Sequence, residues 1–176
     1  MRKSSILTHK PEGLEHSHNQ TNNNYLPLMG TYKQIFYQLV FGTKLREPTI
    51  REEYSGQLYS YIAGIVKKQN CKLYAINGMP DHLHIFSDLH PSVALADLIK
   101  DIKLASSQWM KGSGYFKDFT YWQDGYGAFT YSVNDKGSVI RYIENQKEHH
   151  KKENFYDELK RLLAEHQVEY DPKYFV

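Results

Sequence analysis

Between Tyr32 and Thr43 the side chains alternate in character, with Ile35, Tyr37, Leu39 and Phe41 interleaved with Gln34, Phe36, Gln38 and Val40. A period of two predicts a first strand, and apolar groups on both faces predict burial on at least one side. Lys44-Leu45-Arg46-Glu47-Pro48 breaks that pattern. From Arg51 to Gln69 the period becomes helical, with Tyr54, Leu58, Tyr61, Ile62 and Ile65 on one side and Lys67-Lys68 and Asn70 at the end. Cys71 to Ile76 predicts a second strand and Asp81 to Leu89 a third. Asn77-Gly78 between them is the expected hairpin turn, lengthened by Met79 and Pro80. Ser92 is the expected N-cap of a second helix, whose apolar stripe runs through Val93, Leu95, Leu98, Ile102, Ala105 and Trp109 to a stop at Gly112-Ser113-Gly114. The aromatic and glycine-rich stretch Phe119 to Tyr131 predicts a last strand, kinked at Gly125 or Gly127. A helical pattern then starts near Asp135 and runs to His166 with a break around Phe155.

The order β-α-β-β-α-β followed by a helix predicts an α+β, ferredoxin-like fold, a four-stranded antiparallel sheet with two helices on one face. The other face is then free to bear a site. Residues 1–30 differ from the rest. The run Asn19-Gln20-Thr21-Asn22-Asn23-Asn24 offers little to bury, so a flexible tail is expected there, with residues 31–176 forming one domain. Cys71 is the only cysteine, which excludes an intramolecular disulfide and a multi-cysteine zinc site. No apolar run approaches the ~18 residues of a spanning helix. Arg2 and Lys3 precede only Ile6-Leu7, too short for a signal peptide, so a cytoplasmic protein without a membrane partner is expected. A net charge of +2 permits a nucleic-acid partner without requiring one, so contacts to it must come from local basic residues.

Two stretches carry chemistry. On the third predicted strand His82 and His84 point the same way, one pleat apart, and two imidazoles on one face can grip a divalent cation. Two histidines on a solvated sheet face are the plain alternative. In the last helical segment Tyr142 and Gln146 lie four residues apart and share a face. A tyrosine can attack phosphorus as a nucleophile, and a glutamine carbonyl oxygen suits a hard cation. The alternative for Tyr142 is a ring packed beside Val139.

Taken together, these stretches resemble the HUH-superfamily single-tyrosine transposases of bacterial insertion sequences, including relatives associated with repetitive extragenic palindromes. His82-Leu83-His84 matches the His-hydrophobic-His motif, preceded by Asn77-Gly78-Met79-Pro80-Asp81, and Tyr142-Ile143-Glu144-Asn145-Gln146 matches the tyrosine-helix motif. Trp122 to Phe129 is similar to the segment entering that helix, and the resemblance covers roughly Thr31 to Tyr174. It implies Tyr142 as nucleophile and His82, His84 and Gln146 as ligands of Mg²⁺ or Mn²⁺. It further implies single-stranded DNA, with a hairpin beside the element end, as substrate. The product would be a 5′-phosphotyrosine and a free 3′-hydroxyl, made by a homodimer whose sites assemble in cis or in trans. Lys44, Arg46, Lys100 and Lys103, with Lys67 and Lys68, are the candidate phosphate contacts, and Tyr126, Phe129 and Tyr131 candidate stacking platforms. His90 lies too far along its strand to join the pair, and a solvated turn is the expected setting of His149 and His150.

Three rivals stand beside this reading. An RNA-recognition motif is disfavoured, because Asp124-Gly125-Tyr126-Gly127-Ala128-Phe129 puts Asp where a basic residue belongs and Ala128 where an aromatic belongs. A metal-dependent nuclease would use water as nucleophile and leave Tyr142 structural. A domesticated relative would keep every candidate residue and only bind DNA.

Overall fold

The computed structural model describes residues 32–171, and the tail expected at residues 1–30 lies outside them. Strand β1 (Phe36–Gly42) is buried along almost its whole length, which marks it as an inner strand. It pairs antiparallel with β3 (His82–Asp88) on one side and β4 (Gly127–Tyr131) on the other, and β2 (Leu73–Met79) flanks β3. The resulting order β2-β3-β1-β4 is the ferredoxin-like arrangement predicted from the element pattern. β1 starts later than the alternation suggests. Phe36 is the first residue opposite both Asp88 of β3 and Tyr131 of β4, so Gln34 and Ile35 have no ladder to join.

One sheet face carries Leu39, Phe41, Leu83 and Ile85. They pack against Leu58, Ile62 and Val66 of helix α1 (Glu52–Lys68) and Leu98, Ile102 and Met110 of helix α2 (Leu95–Ser113). The opposite face is covered as well. There Phe36 and Phe86 meet Val139 and Ile143 of α3 (Lys136–Glu144), and Val40 and Phe129 meet Phe155, Leu162 and Leu163 of α5 (Phe155–Glu165). Helices therefore sandwich the sheet, and the face expected to be free instead holds a buried site. Among the described residues no helix is long and apolar enough to cross a membrane.

Four local expectations are corrected. Asn77 and Gly78 are not the hairpin turn but the end of β2, opposite His84 and Leu83, and the chain reverses at Pro80-Asp81. Asn77 spends its side chain on Gly78 N and on the Glu144 carbonyl, while a Cβ at Gly78 would lie 2.1 Å from the His82 carbonyl oxygen. Glycine is needed there for close approach rather than for a turn. Ser92 does not cap α2. Its hydroxyl bonds His90 Nδ1 at 2.7 Å, and the helix begins three residues later. The last strand is only Gly127–Tyr131: Trp122 keeps a single bridge to Thr43, and its ring joins Phe119 in the core beneath α2. Trp122 Nε1 donates to the buried Ser106 hydroxyl at 2.9 Å, and Gly125 takes the left-handed φ of 74° where the chain turns back toward β4. The final helical region is three pieces, with α4 (Gln146–His149) between α3 and α5, and α5 is capped by Asn154 accepting from Asp157 N.

Candidate active site

Period two on β3 does place His82 and His84 on one face, with ring centroids 5.1 Å apart and both side chains fully buried. His82 Nδ1 sits 2.7 Å from Asp81 Oδ1, and Asp81 Oδ2 accepts from Arg46 Nη2 at 2.7 Å. A carboxylate at that distance accepts a hydrogen bond from Nδ1–H, which in the neutral ring leaves the Nε2 lone pair facing inward. Burial works to raise the Asp81 pKa, but the bond and charge of His82 and the charge of Arg46 outweigh it and hold the group anionic. Arg46 also lies 3.2 Å over the Phe155 ring, and it reaches both partners from a left-handed backbone with φ of 60°. It thus clamps β3 to α5.

His84 Nδ1 lies 3.0 Å from Gln38 Nε2, and Gln38 Oε1 accepts from Tyr131 Oη at 2.8 Å. A hydroxyl both donates and accepts, so the Gln38 amide satisfies its two neighbours in either orientation. One orientation protonates His84 at Nε2, and the other turns that lone pair toward the site. Burial, partly offset by Glu158, pushes the His84 pKa down to about 4, which keeps the ring neutral.

These groups meet at a residue that motif reasoning passed over. Glu158 of α5 is only 1% exposed, and its Oε2 lies 3.1 Å from His150 Nε2, 3.3 Å from His84 Nε2 and 3.5 Å from His82 Nε2. Its Oε1 accepts from Gln146 Nε2 at 3.0 Å and from the Tyr142 hydroxyl. Burial works to raise the Glu158 pKa, but the imidazoles of His150, His82 and His84 set around its carboxylate drive it well below the ordinary carboxylate range. His150 Nε2 is 3.1 Å from His82 Nε2, and one ligand atom from each of His82, His84, His150 and Glu158 falls within 4.8 Å of the others. Among the described residues His84 Nε2 and Gln146 Oε1 are buried without a hydrogen-bond partner. Buried orphans of this kind ask for an occupant, and imidazole and amide acceptors around a carboxylate suit a divalent cation.

Tyr142 and Gln146 do not share one continuous helix. α3 ends at Glu144 and α4 begins at Gln146, yet the four-residue spacing survives the break and both side chains reach Glu158 Oε1. The Tyr142 ring lies 6.1 Å from the His84 ring within the same chain. Burial, then the charge and hydrogen bond of Glu158, raise the phenol pKa, and Arg161, whose Nη2 donates to Tyr142 Oη at 3.0 Å, pulls the other way. Glu153 and Glu165 hold that arginine in place.

His150, expected in a solvated turn, belongs to this cluster, and a sequence signal was available for it. Tyr142, Gln146 and His150 follow each other at intervals of four. The signal for Glu158 is a carboxylate on the apolar stripe of Phe155, Leu162 and Leu163. His149 is exposed with its ring 4.7 Å from Tyr142, and His90 stays with Ser92, away from the cluster. Of the candidate phosphate contacts, Arg46 is engaged as described and Lys44 lies 4.2 Å over the Tyr121 ring. Lys100 is exposed on α2, and Lys103 donates to the carbonyls of Gln123 and Gly125. Lys100, Lys103, Tyr121 and Tyr126 line a groove of about 500 Å³ on the α2 side of the sheet. Phe129 is core and Tyr131 bonds Gln38, which leaves Tyr126 as the exposed member of the three expected stacking residues.

Comparison with known proteins adds four findings. A family model described as "Transposase IS200 like" matches residues 31–146. The ISDra2 transposase TnpA of Deinococcus radiodurans is 27% identical over 122 residues, spanning 66% of this chain and 87% of its own. A crystal structure of a D. radiodurans R1 protein described as a transposase superposes with a TM-score of 0.52 at 26% identity, covering 67% of this chain and 94% of that one. A tyrosine transposase solved with a REP hairpin shares the fold, with a TM-score of 0.51 at 16% identity over 69% of this chain and 74% of that one.

Proposed function

The chain belongs to the IS200-like transposase family, and from that premise we propose that it cleaves and rejoins single-stranded DNA through a 5′-phosphotyrosine on Tyr142. The observation that carries this reading is the convergence of the Tyr142 hydroxyl, Gln146 and both strand histidines on the single carboxylate of Glu158. His82 and His84, with the unpartnered Gln146 Oε1, are the residues that would hold Mg²⁺ or Mn²⁺. When bound, a divalent cation polarises the phosphodiester and stabilises charge on the leaving oxygen.

The chain's own groups do the rest. Arg161 and Glu158 fix the phenol from two sides, which supplies orientation before the substrate arrives. Tyr142 Oη forms a bond to phosphorus, its proton leaves along the hydrogen bond to Glu158, and the bond from phosphorus to the 3′-oxygen breaks. The 3′-oxygen takes up a proton and departs as a hydroxyl. Rejoining runs the same exchange backward with a 3′-hydroxyl as nucleophile, so no high-energy cofactor is consumed.

Because a relative is solved with a REP hairpin, we take a hairpin-bearing single strand as the substrate class. Lys44, Lys100 and Lys103 are proposed to contact phosphates, with Tyr126 available to stack on an unpaired base. The homodimer implied by the resemblance is not needed to bring Tyr142 to the histidines, since one chain already does so. Light scattering checks the dimer. The decisive experiment mixes the protein with labelled hairpin-bearing single strands and Mn²⁺ on a denaturing gel. A covalent adduct lost in Tyr142→Phe and in EDTA is expected. Cleavage that persists in Tyr142→Phe without an adduct would instead establish a hydrolytic nuclease.

A further inference from the structure

We infer that His150 and Glu158 are further ligands of the same metal as His82, His84 and Gln146, giving it three imidazoles and a carboxylate that prefer a transition-metal dication to Mg²⁺. This rests on the reading above that the two strand histidines bind a metal, and it extends the ligand set beyond residue 146, where the family match stops.

Spacing is the first argument. Ligands ~2.0–2.1 Å from one ion lie roughly 2.9–4.2 Å from one another, depending on the coordination polyhedron, and the four candidate atoms here fall within 4.8 Å. Glu158 Oε2 lies 3.1, 3.3 and 3.5 Å from the three Nε2 atoms, and His82 Nε2 and His150 Nε2 are 3.1 Å apart. Proton accounting is the second. His82 donates an Nδ1–H hydrogen bond to Asp81, so in the neutral ring an Nε2 lone pair faces both Glu158 Oε2 and His150 Nε2. Either a proton on one of the imidazoles or a cation must lie between these acceptors, and the orphaned His84 Nε2 adds another inward-facing nitrogen. A cation at the centre satisfies all four at once, with the Gln38 amide turned to accept the His84 Nδ1 proton.

Burial is the third argument. A carboxylate that is 1% exposed needs a positive partner, and the pairing cations nearby face elsewhere, Arg46 to Asp81 and Arg161 to Glu153 and Glu165. The metal preference follows from ligand type, because Mg²⁺ favours oxygen and retains water, whereas imidazole favours the later first-row ions. The assignment also gives the two carboxylate oxygens separate tasks. Oε2 faces the metal position, and Oε1 holds Tyr142 and Gln146 beside it.

The test is calorimetric titration of the full chain, stripped with EDTA and dialysed, with Mn²⁺, Co²⁺ and Mg²⁺. Visible absorption of the Co²⁺ form reports nitrogen coordination. One site per chain is expected, at least ~10-fold tighter for Mn²⁺ than for Mg²⁺, with Glu158→Gln and His150→Gln each weakening Mn²⁺ by ~10–100-fold or more and altering the Co²⁺ spectrum. Should Glu158→Gln fail to fold, His150→Gln, at the end of α4, carries the test alone. If both variants bind Mn²⁺ like the parent while His82→Ala and His84→Ala lose it, this inference falls and the two-histidine reading stands. If His82→Ala and His84→Ala also bind like the parent, both fall. Equal affinity for Mg²⁺ and Mn²⁺ overturns the preference.

Discussion

Replacing Gly78 with alanine tests how tightly the architecture holds the candidate ligands. The added Cβ would lie 2.1 Å from the His82 carbonyl oxygen, 2.9 Å from Leu83 Cδ2 and 3.0 Å from Leu83 Cα. The leucine methyl can turn aside, but a backbone carbonyl cannot. Bringing that contact out to 3.0 Å, the closest that real Cβ atoms approach, requires β2 and β3 to part by about 0.9 Å at His82 itself. Overpacking of this kind costs ~1–3 kcal/mol. At roughly 2–4 °C per kcal/mol for a chain of this size, melting should fall by ~2–12 °C. The effect on metal should be larger in proportion, since ligand distances are tolerated only within ~0.2 Å, and we expect Mn²⁺ affinity to drop at least ~10-fold. Circular dichroism melts and calorimetric titration measure the two effects. Gly64→Ala in α1 is the control. A Cβ there meets nothing within 4 Å, and filling an exposed helix interior should stabilise by ~0.5–1 kcal/mol. A Gly78→Ala protein that melts within a degree of the parent and binds Mn²⁺ equally well would refute the close-approach argument.

Three further outcomes follow from the geometry. Asp81→Asn removes the anionic acceptor of His82 Nδ1. Metal affinity should fall ~10–100-fold with unchanged far-ultraviolet dichroism, and an unchanged affinity would show that Asp81 does not set the tautomer. Burial, against the opposing charge of Asp124, pushes the Lys103 pKa down to about 8. A phosphate would raise it again, so DNA binding at pH 8.5 should take up a proton and weaken as pH rises through 8. Calorimetry in buffers of different ionisation enthalpy reads the uptake, and the same uptake in Lys103→Arg would exclude Lys103 as its source. Trp122→Phe leaves the buried Ser106 hydroxyl without its indole donor and should cost ~1–3 kcal/mol in urea denaturation. A loss under ~0.5 kcal/mol would show that the bond adds little.

How much was legible in the sequence depends on how local each cause is. Alternation and helical period belong to single segments, so the strand order and both core helices could be read directly. Asn77-Gly78 misleads because its local chemistry favours a turn, whereas pairing with His84 and Leu83 decides its conformation. Ser92 misleads in the same way, its hydroxyl being drawn to His90. His82 and His84 were visible because two residues on one strand must share a face. Tyr142 and Gln146 kept their relation even though Asn145 interrupts the helix, since both turn toward one carboxylate. Glu158 showed only as a carboxylate on the apolar stripe of α5, and its role depends on partners from β3 and α4 that no local pattern ties to that helix. The covering of the second sheet face has the same origin, as helical period says nothing about where a third layer docks.

Among the described elements α5 is the last in chain order, and that has a consequence during synthesis. His150 follows His82 by 68 residues, which a ribosome adding ~5–20 residues per second needs roughly 3–14 s to produce. Throughout that interval the sheet presents its two histidines with neither the third imidazole nor the carboxylate to face them. A nascent chain, or one cut in the exposed stretch at residues 151–152, has most of the fold but not the group on which Tyr142 and the histidines converge. Among the described elements, then, the convergence of Tyr142 and the strand histidines on Glu158 forms only once α5 has been made and has docked.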